Sequence, residues 1–110
     1  MAMLSKRAPL DAFQLAEAAD MIRVLGHPVR LRIVECLEPR ECTVSELVGT
    51  LRVPQAIVSQ QLAKMRAAGI VRCRREGTSR FYAVADERVV RMLDCLRNCN
   101  VPLSGTSRRN

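Results

Sequence analysis

Aromatic residues are scarce in this 110-residue chain, which contains Phe13, Phe81 and Tyr82 but no tryptophan. Because 48% of the residues are nevertheless hydrophobic, we expect a single domain with an aliphatic core. Long apolar runs are also missing, and none approaches the roughly 18–20 residues that cross a bilayer. The N-terminus lacks an apolar segment of the secretory type. The sequence therefore predicts a soluble, cytoplasmic protein with no membrane partner.

Histidine is nearly absent, since His27 is the only one, and no Cys-x-x-Cys pair occurs. A closed zinc finger is therefore disfavoured. The five cysteines are an odd number, which favours reduced thiols over a disulfide framework. A Ser/His/Asp set, a phosphate-cradling glycine loop and paired catalytic acids are also missing, and His27 beside Pro28 is a poor general base. We expect neither an enzyme nor an obligatory cofactor.

Positive charge is concentrated in the second half of the chain. Residues 1–51 carry six Lys/Arg and seven Asp/Glu, a net of −1, whereas residues 52–110 carry twelve and four, a net of +8. A ribosomal protein would be basic throughout. The asymmetry instead favours a module with one cationic face that binds a polyanion such as nucleic acid.

Hydrophobic spacing divides residues 11–100 into five helices and two strands, between a flexible arm at 1–10 and a flexible tail at 101–110. The first helix is predicted from Asp11 to Leu25, and the second begins at Pro28 and ends before Pro39. Thr43-Val44-Ser45-Glu46 fits a capping box that begins a third helix ending near Leu51. A longer fourth helix is predicted from about Pro54 to Ala68. Its predicted inward face consists of Ile57, Val58, Leu62 and Met65.

Two strands follow, at residues 70–75 and 80–84, joined by a turn at Glu76-Gly77-Thr78-Ser79. A last helix is predicted from about Asp86 to Cys99. The resulting order, α-α-α-α-β-β-α, describes a mainly α domain with a small β-hairpin.

The third and fourth helices, separated by a short connection, have the pattern of a helix-turn-helix whose second helix enters the major groove of DNA. Glutamine and serine side chains suit base edges, and lysine and arginine suit phosphates. The predicted DNA contacts on this helix are Gln55, Ser59, Gln60, Lys64 and Arg66.

The hairpin that follows is rich in arginine, with only Glu76 opposing it. After a helix-turn-helix, such a hairpin is typical of a wing that contacts the DNA backbone or minor groove. The alternative for these charges is an ordinary charged hairpin edge that blocks strand pairing. A winged helix that binds only protein is an alternative, although it needs no cationic hairpin. The predicted wing contacts are Arg72, Arg74, Arg75 and Arg80.

Three segments together resemble the ArsR/SmtB family of winged-helix repressors. The segment Leu25-Gly26-His27-Pro28-Val29-Arg30-Leu31-Arg32-Ile33 resembles the entry to the family's second helix, and Val58-Ser59-Gln60-Gln61-Leu62 resembles its recognition helix. Residues 69–77 with Phe81-Tyr82 resemble its wing. The match covers roughly residues 12–100. It implies a homodimer formed by the first and last helices, which represses transcription until an inducer binds.

The residues themselves also favour a homodimer. The first and last helices each carry an apolar stripe, and so small a domain has little core in which to bury both. A two-fold dimer also presents two recognition helices to a palindromic operator in double-stranded DNA.

The resemblance allows the family's sensing sites to be tested against this chain. The arsenite-type cysteine positions hold Thr43 and Ser45, with Cys42 adjacent but alone. The zinc-type positions hold Asp86, Arg88, Cys99 and Pro102, which disfavours zinc. The sulfide-sensing pair is also displaced, because Cys36 lies one position from the expected place and Cys99 lies two positions early.

Cys95 and Cys99 remain as the candidate metal site. Their i, i+4 spacing predicts two thiols on one helical face, which suits a soft ion such as As(III). A third sulfur would come from the other subunit, Cys36 or Cys42. A thiol-based redox or sulfide/persulfide switch and a family member without any inducer are the alternatives.

Overall fold

A computed structural model describes residues 8–99 and contains five helices and one antiparallel hairpin in the predicted order. This mainly α, winged helix-turn-helix architecture confirms the predicted fold class. The predicted flexible tail at 101–110 lies outside the described residues, as does the predicted arm except for residues 8–10. The elements are α1 (Ala12–Leu25), α2 (Pro28–Leu37), α3 (Val44–Leu51), α4 (Gln55–Ala67), β1 (Val71–Glu76), β2 (Ser79–Val84) and α5 (Glu87–Arg97).

Side-chain caps fix where the first three helices begin. The Asp11 carboxylate accepts a hydrogen bond from the Gln14 amide at the start of α1. The His27 Nδ1 accepts one from the Val29 amide at 3.1 Å, so His27 serves as the cap of α2. The predicted capping box of α3 is confirmed, because Thr43 accepts from the Glu46 amide and Glu46 accepts from the Thr43 amide. These bonds satisfy amides that have no partner within the helix.

A tight connection sets the angle between α3 and α4. Arg52, which follows α3, adopts a left-handed backbone conformation with φ of 58°, and its amide donates to the Val48 carbonyl at 2.8 Å. Glycine is the usual residue at this position, because a side chain strains this conformation. Val53 and Pro54 then lead directly into α4. The connection therefore has the three-residue length expected of a helix-turn-helix.

The core is aliphatic, as predicted, and lies where α2, α3 and α4 meet the inner ends of the hairpin strands. On α4 the buried stripe contains Val58, Leu62 and Met65, in agreement with the prediction. The predicted inward position of Ile57 is wrong, because 37% of this residue is exposed. Ile57 lies in the first turn of α4, at the edge of the buried stripe. The fourth buried residue of α4 is Gln61. The largest fully buried side chains include Ile33, Leu47, Met65, Ile70 and Val89.

The hairpin is attached to the helical layer by a short backbone bridge. Cys42, in the connection between α2 and α3, exchanges both backbone hydrogen bonds with Tyr82 of β2, at 2.8 and 3.0 Å. Within the hairpin, Cys73 pairs with Tyr82 and Glu76 pairs with Ser79. The bridge holds the base of the hairpin, so its arginine-rich tip projects beside α4.

The last helix ends earlier than predicted. Helix α5 ends at Arg97, with Asn98 as its cap, so Cys99 lies beyond the helix. The prediction that Cys95 and Cys99 share one helical face is therefore wrong. Residues four positions apart lie on one face only when the backbone between them is helical, and Asn98 is outside the helix. Among residues 8–99, no helix has the length and apolarity needed to span a membrane.

The capping box of α3 provides a test of how local interactions hold the helix-turn-helix. We expect Thr43→Ala to lower the free energy of unfolding by about 1 kcal/mol, since the Glu46 amide loses its acceptor. Thr50→Ala is the matched control, because Thr50 is exposed within the same helix. Thermal or urea unfolding measures both. Equal stability of the two variants would contradict a stabilising role for the cap.

Candidate nucleic-acid interface

The exposed side of α4 carries all of the predicted base and phosphate contacts of that helix. Its buried stripe faces α2 and α3, so the opposite side is open to solvent. Gln55, Ser59 and Gln60 lie in its first half, where a helix entering the major groove meets base edges. All five predicted contacts on this helix are exposed, namely Gln55, Ser59, Gln60, Lys64 and Arg66.

A groove between α4 and the hairpin brings together three predicted contacts from separate parts of the chain. Ser59 and Arg66 of α4 and Arg80 of β2 line this groove, whose volume is about 650 Å³. Two guanidinium groups and a hydroxyl along one open groove are suited to a phosphate backbone.

Lys64 belongs to a different surface from Ser59 and Arg66. It lines a second groove, of about 420 Å³, together with residues of α1, the end of α4, Ile70 and the start of α5. The acidic side chains Glu17, Asp20 and Asp86 line the same groove. The structure therefore does not group Lys64 with the other predicted phosphate contacts.

Arg75 and Arg80 form a like-charged pair on the hairpin. They lie directly opposite each other in the two strands, and both are exposed. Within residues 8–99 neither side chain makes an ion pair. Like charges directly opposite each other destabilise a hairpin unless a polyanion neutralises them. This pair therefore has the charge and exposure that suit a phosphate anion.

Arg72 and Arg74 are engaged with the protein itself. The Arg72 guanidinium donates to the Val84 carbonyl at 2.9 Å. The Arg74 guanidinium binds the carboxylate of Glu41, with nitrogen–oxygen distances of 2.8–3.0 Å, as well as Glu76, and it lies 4.7 Å from the centre of the Phe81 ring. The expectation that only Glu76 opposes the wing is therefore wrong. Glu41 was missed because it lies 33 residues away in the sequence.

The Arg74 contacts affect ionisation as well as position. The hydrogen bond from Arg74 lowers the pKa of Glu41, and hydrogen bonds to Glu41 and Glu76 raise the pKa of Arg74. The ion pair therefore persists from neutral pH to below the usual pKa of a glutamate. It weakens only as the pH falls through the lowered pKa of Glu41.

Within residues 8–99 of one chain, the cysteines belong to no cluster of three or more metal-ligating side chains. Cys95 and Cys99 are both exposed, whereas burial raises the pKa of the Cys36 and Cys42 thiols. Asp86 caps α5 and pairs with Arg88 at 2.7 Å.

Two further features escaped sequence analysis. Arg30 on α2 and Gln61 on α4 form a partly buried hydrogen bond, and a polar residue within the apolar stripe of α4 was its only signal. Several large apolar side chains also remain exposed on α1 and α5. The most exposed are Phe13, Ile22 and Leu96, at 60–70%.

Comparison with known proteins agrees with this geometry. Residues 27–72, from the cap of α2 into β1, match the model of the bacterial regulatory proteins of the arsR family. The chain is also 38% identical over 90 residues to the biofilm growth-associated repressor of Agrobacterium fabrum. The matched region covers 80% of this chain and 77% of that protein. The chain belongs to the ArsR family. As predicted, the family consists of transcriptional regulators and not enzymes.

Solved structures of ArsR-family and related regulators have the same fold. HlyU from Vibrio cholerae superposes with a TM-score of 0.75 at 30% identity, over 79% of this chain and 95% of that chain. The homodimeric winged helix-turn-helix domain of Mb0332 from Mycobacterium bovis superposes with a TM-score of 0.70 at 26% identity, over 84% of this chain and 85% of that chain.

The contact between Glu41 and Arg74 yields a prediction for DNA affinity. We expect Glu41→Gln to raise the affinity for duplex DNA of any sequence about threefold or more, since Arg74 then has only Glu76 as a carboxylate partner and is more available to a phosphate. The plot of log K against log salt should steepen by about 0.9. Glu35→Gln is the control, because Glu35 pairs with Arg32 on α2. Anisotropy titrations at several salt concentrations measure both; an unchanged slope would contradict the prediction.

Proposed function

We propose that this ArsR-family protein is a transcriptional repressor that binds a palindromic operator as a homodimer. In this proposal the repressor releases the operator when thiols at the C-terminal end of α5 bind a soft metalloid such as As(III). The observation that carries DNA binding is the groove that Ser59, Arg66 and Arg80 share between α4 and the wing. The unneutralised Arg75–Arg80 pair beside it supports the same function. In this proposal α4 reads base edges, and the groove and wing hold the backbone.

The exposed apolar side chains of α1 and α5 support the homodimer. Phe13 is 70% exposed and Ile22 is 61% exposed on α1, while Leu96 is 60% exposed on α5. Large apolar side chains left exposed to this extent are typical of an interaction surface. Mb0332, a relative in structure, is homodimeric. A second copy of this chain would cover these faces and present two copies of α4 to one DNA duplex.

We expect Ile22→Glu to weaken the dimer at least a hundredfold, because a charge replaces apolar surface that the interface would bury. Thr50→Glu adds the same charge at an exposed position of α3 and should leave the dimer intact. Analytical ultracentrifugation over a concentration series gives both dissociation constants. Dimerisation of Ile22→Glu at the wild-type concentration would refute this interface.

The proposed inducer site consists of Cys95 and Cys99 at the C-terminal end of α5. Both thiols are exposed, and soft As(III) prefers sulfur ligands. Each As–S bond replaces one hydroxyl of arsenious acid, which leaves as water with the thiol proton. Cys42 is a poor third ligand, because it is buried and its Sγ lies 3.7–3.8 Å from the carbonyls of Arg40 and Cys36. Any third sulfur would therefore come from the second subunit or from the half-buried Cys36.

A salt bridge connects this end of α5 to α2, which packs against both helices of the helix-turn-helix. Arg97 lies between the two cysteines, and its guanidinium is 2.6 Å from the carboxylate of Glu38, the residue that caps α2. Binding of an ion that rearranges Cys95 and Cys99 would displace Arg97, and through it α2. A coupling free energy of about 1–3 kcal/mol is sufficient for a useful response.

The decisive experiment follows fluorescence anisotropy of the reduced protein on its own upstream DNA during anaerobic titration with arsenite. We expect release at about one equivalent per subunit, with affinity falling roughly 5- to 150-fold. Cys95→Ser/Cys99→Ser should bind DNA normally and ignore arsenite, whereas Cys73→Ser, in the wing, should respond as the wild type does.

Each other outcome has a distinct meaning. Normal release by the double serine variant would refute the proposed thiol site. Tight binding that ignores arsenite but is lost with a persulfide or peroxide would identify a sulfur or redox switch. Binding that no thiol reagent affects would identify a repressor without an inducer of this class. Failure to bind the upstream DNA would overturn the repressor function itself.

A further inference from the structure

Gln61 is the only polar or charged residue that is buried among residues 8–99, with 8% of its surface exposed. It lies in the middle of α4, on the side opposite Ser59 and Gln60, and therefore does not face the DNA. A buried polar group is costly unless it is hydrogen-bonded. Its partner therefore matters for how α4 is held.

That partner is Arg30 of α2. The Arg30 Nε donates to the Gln61 Oε1 at 2.6 Å, and one terminal nitrogen of the same guanidinium donates to the Val24 carbonyl at 2.7 Å. Val24 is the penultimate residue of α1, where carbonyls lack a partner within the helix. One planar cation therefore joins α1, α2 and α4.

The geometry of this contact is more restrictive than apolar packing. An aliphatic stripe such as Val58, Leu62 and Met65 tolerates small rotations of a helix, because van der Waals contacts have little directionality. A guanidinium has fixed donor directions, and hydrogen bonds to a charged donor are short and strong. The contact therefore selects one rotation of α4 about its own axis.

We propose that Arg30 is a positioning residue for sequence reading by the recognition helix, acting through Gln61. With the contact intact, Gln55, Ser59 and Gln60 are directed at base edges in one fixed orientation. Without it, α4 still binds DNA through phosphate contacts but no longer holds that orientation. This inference rests on the proposed DNA-binding function, which its test examines separately.

The test compares affinities for the operator and for an unrelated duplex at several salt concentrations. The variants are Arg30→Met, Gln61→Met and the double variant, and the control is Arg32→Met. Arg32 lies on the same helix, and its guanidinium is 2.8 Å from Glu35 at the surface. We expect each of the three variants to lose about tenfold in the ratio of specific to non-specific affinity. The double variant should lose no more than either single variant, because the two residues act as one unit.

Two additional variants separate positioning from folding. Gln61→Glu keeps an acceptor oxygen for Arg30 and should retain the specificity ratio within about twofold. Arg30→Lys keeps the charge but not the planar pair of donors, and should lose part of the ratio. If Arg30→Met fails to fold, this pair of variants still tests the proposal.

The slope of log K against log salt distinguishes positioning from direct contact. It should stay unchanged in Arg30→Met, whereas loss of a phosphate contact would reduce its magnitude by about 1. A reduced slope with an unchanged specificity ratio would overturn the proposal, as would a lower melting temperature alone. If the wild-type protein itself shows no preference for the operator, the proposed function fails and this inference fails with it.

Discussion

The orientation of the exposed side of α4, which carries the candidate base contacts, depends on how α4 packs against α2 and α3. Val58, Leu62 and Met65 are almost fully buried in that contact, so the opposite side of the helix is open to solvent. The left-handed conformation of Arg52 sets the angle at which α4 leaves α3. The hydrogen bond from Arg30 to Gln61 adds a directional restraint to this non-directional packing. The Ser59–Arg66–Arg80 groove exists because α4 and the hairpin are both fixed to the same core.

Electrostatics divides the arginines of the wing into two kinds. Arg74 holds the hairpin to Glu41 and stacks beside Phe81, so its charge is largely used within the protein. Arg75 and Arg80 remain opposite each other without a carboxylate partner in the described part of the chain. Formal charge therefore overstates the cationic field that the wing offers to DNA. The bridge between Cys42 and Tyr82 lets a two-stranded hairpin, which is marginal by itself, keep a defined position.

Sequence reasoning succeeded where the signal was local. The Thr43–Glu46 capping box, the start of α2 at Pro28 and the glycine turn of the hairpin each depend on residues within a few positions of each other. It failed at edges. Ile57 lies at the margin of the buried stripe, and the end of α5 falls before Cys99 because no strong sequence signal marks where its last turn gives way. The candidate DNA contacts were all exposed as predicted, yet their grouping was not foreseen.

The sequence alone determined the order of helices and strands, the aliphatic core and the basic character of the second half, because these depend on local spacing and composition. Only the tertiary structure decided which arginine pairs with which acid and which polar side chain is buried. The two decisive contacts, Arg30 with Gln61 and Arg74 with Glu41, join residues 31 and 33 positions apart. Side chains of one type are equivalent along a sequence, and they become distinct only when folding places a particular partner within hydrogen-bond distance.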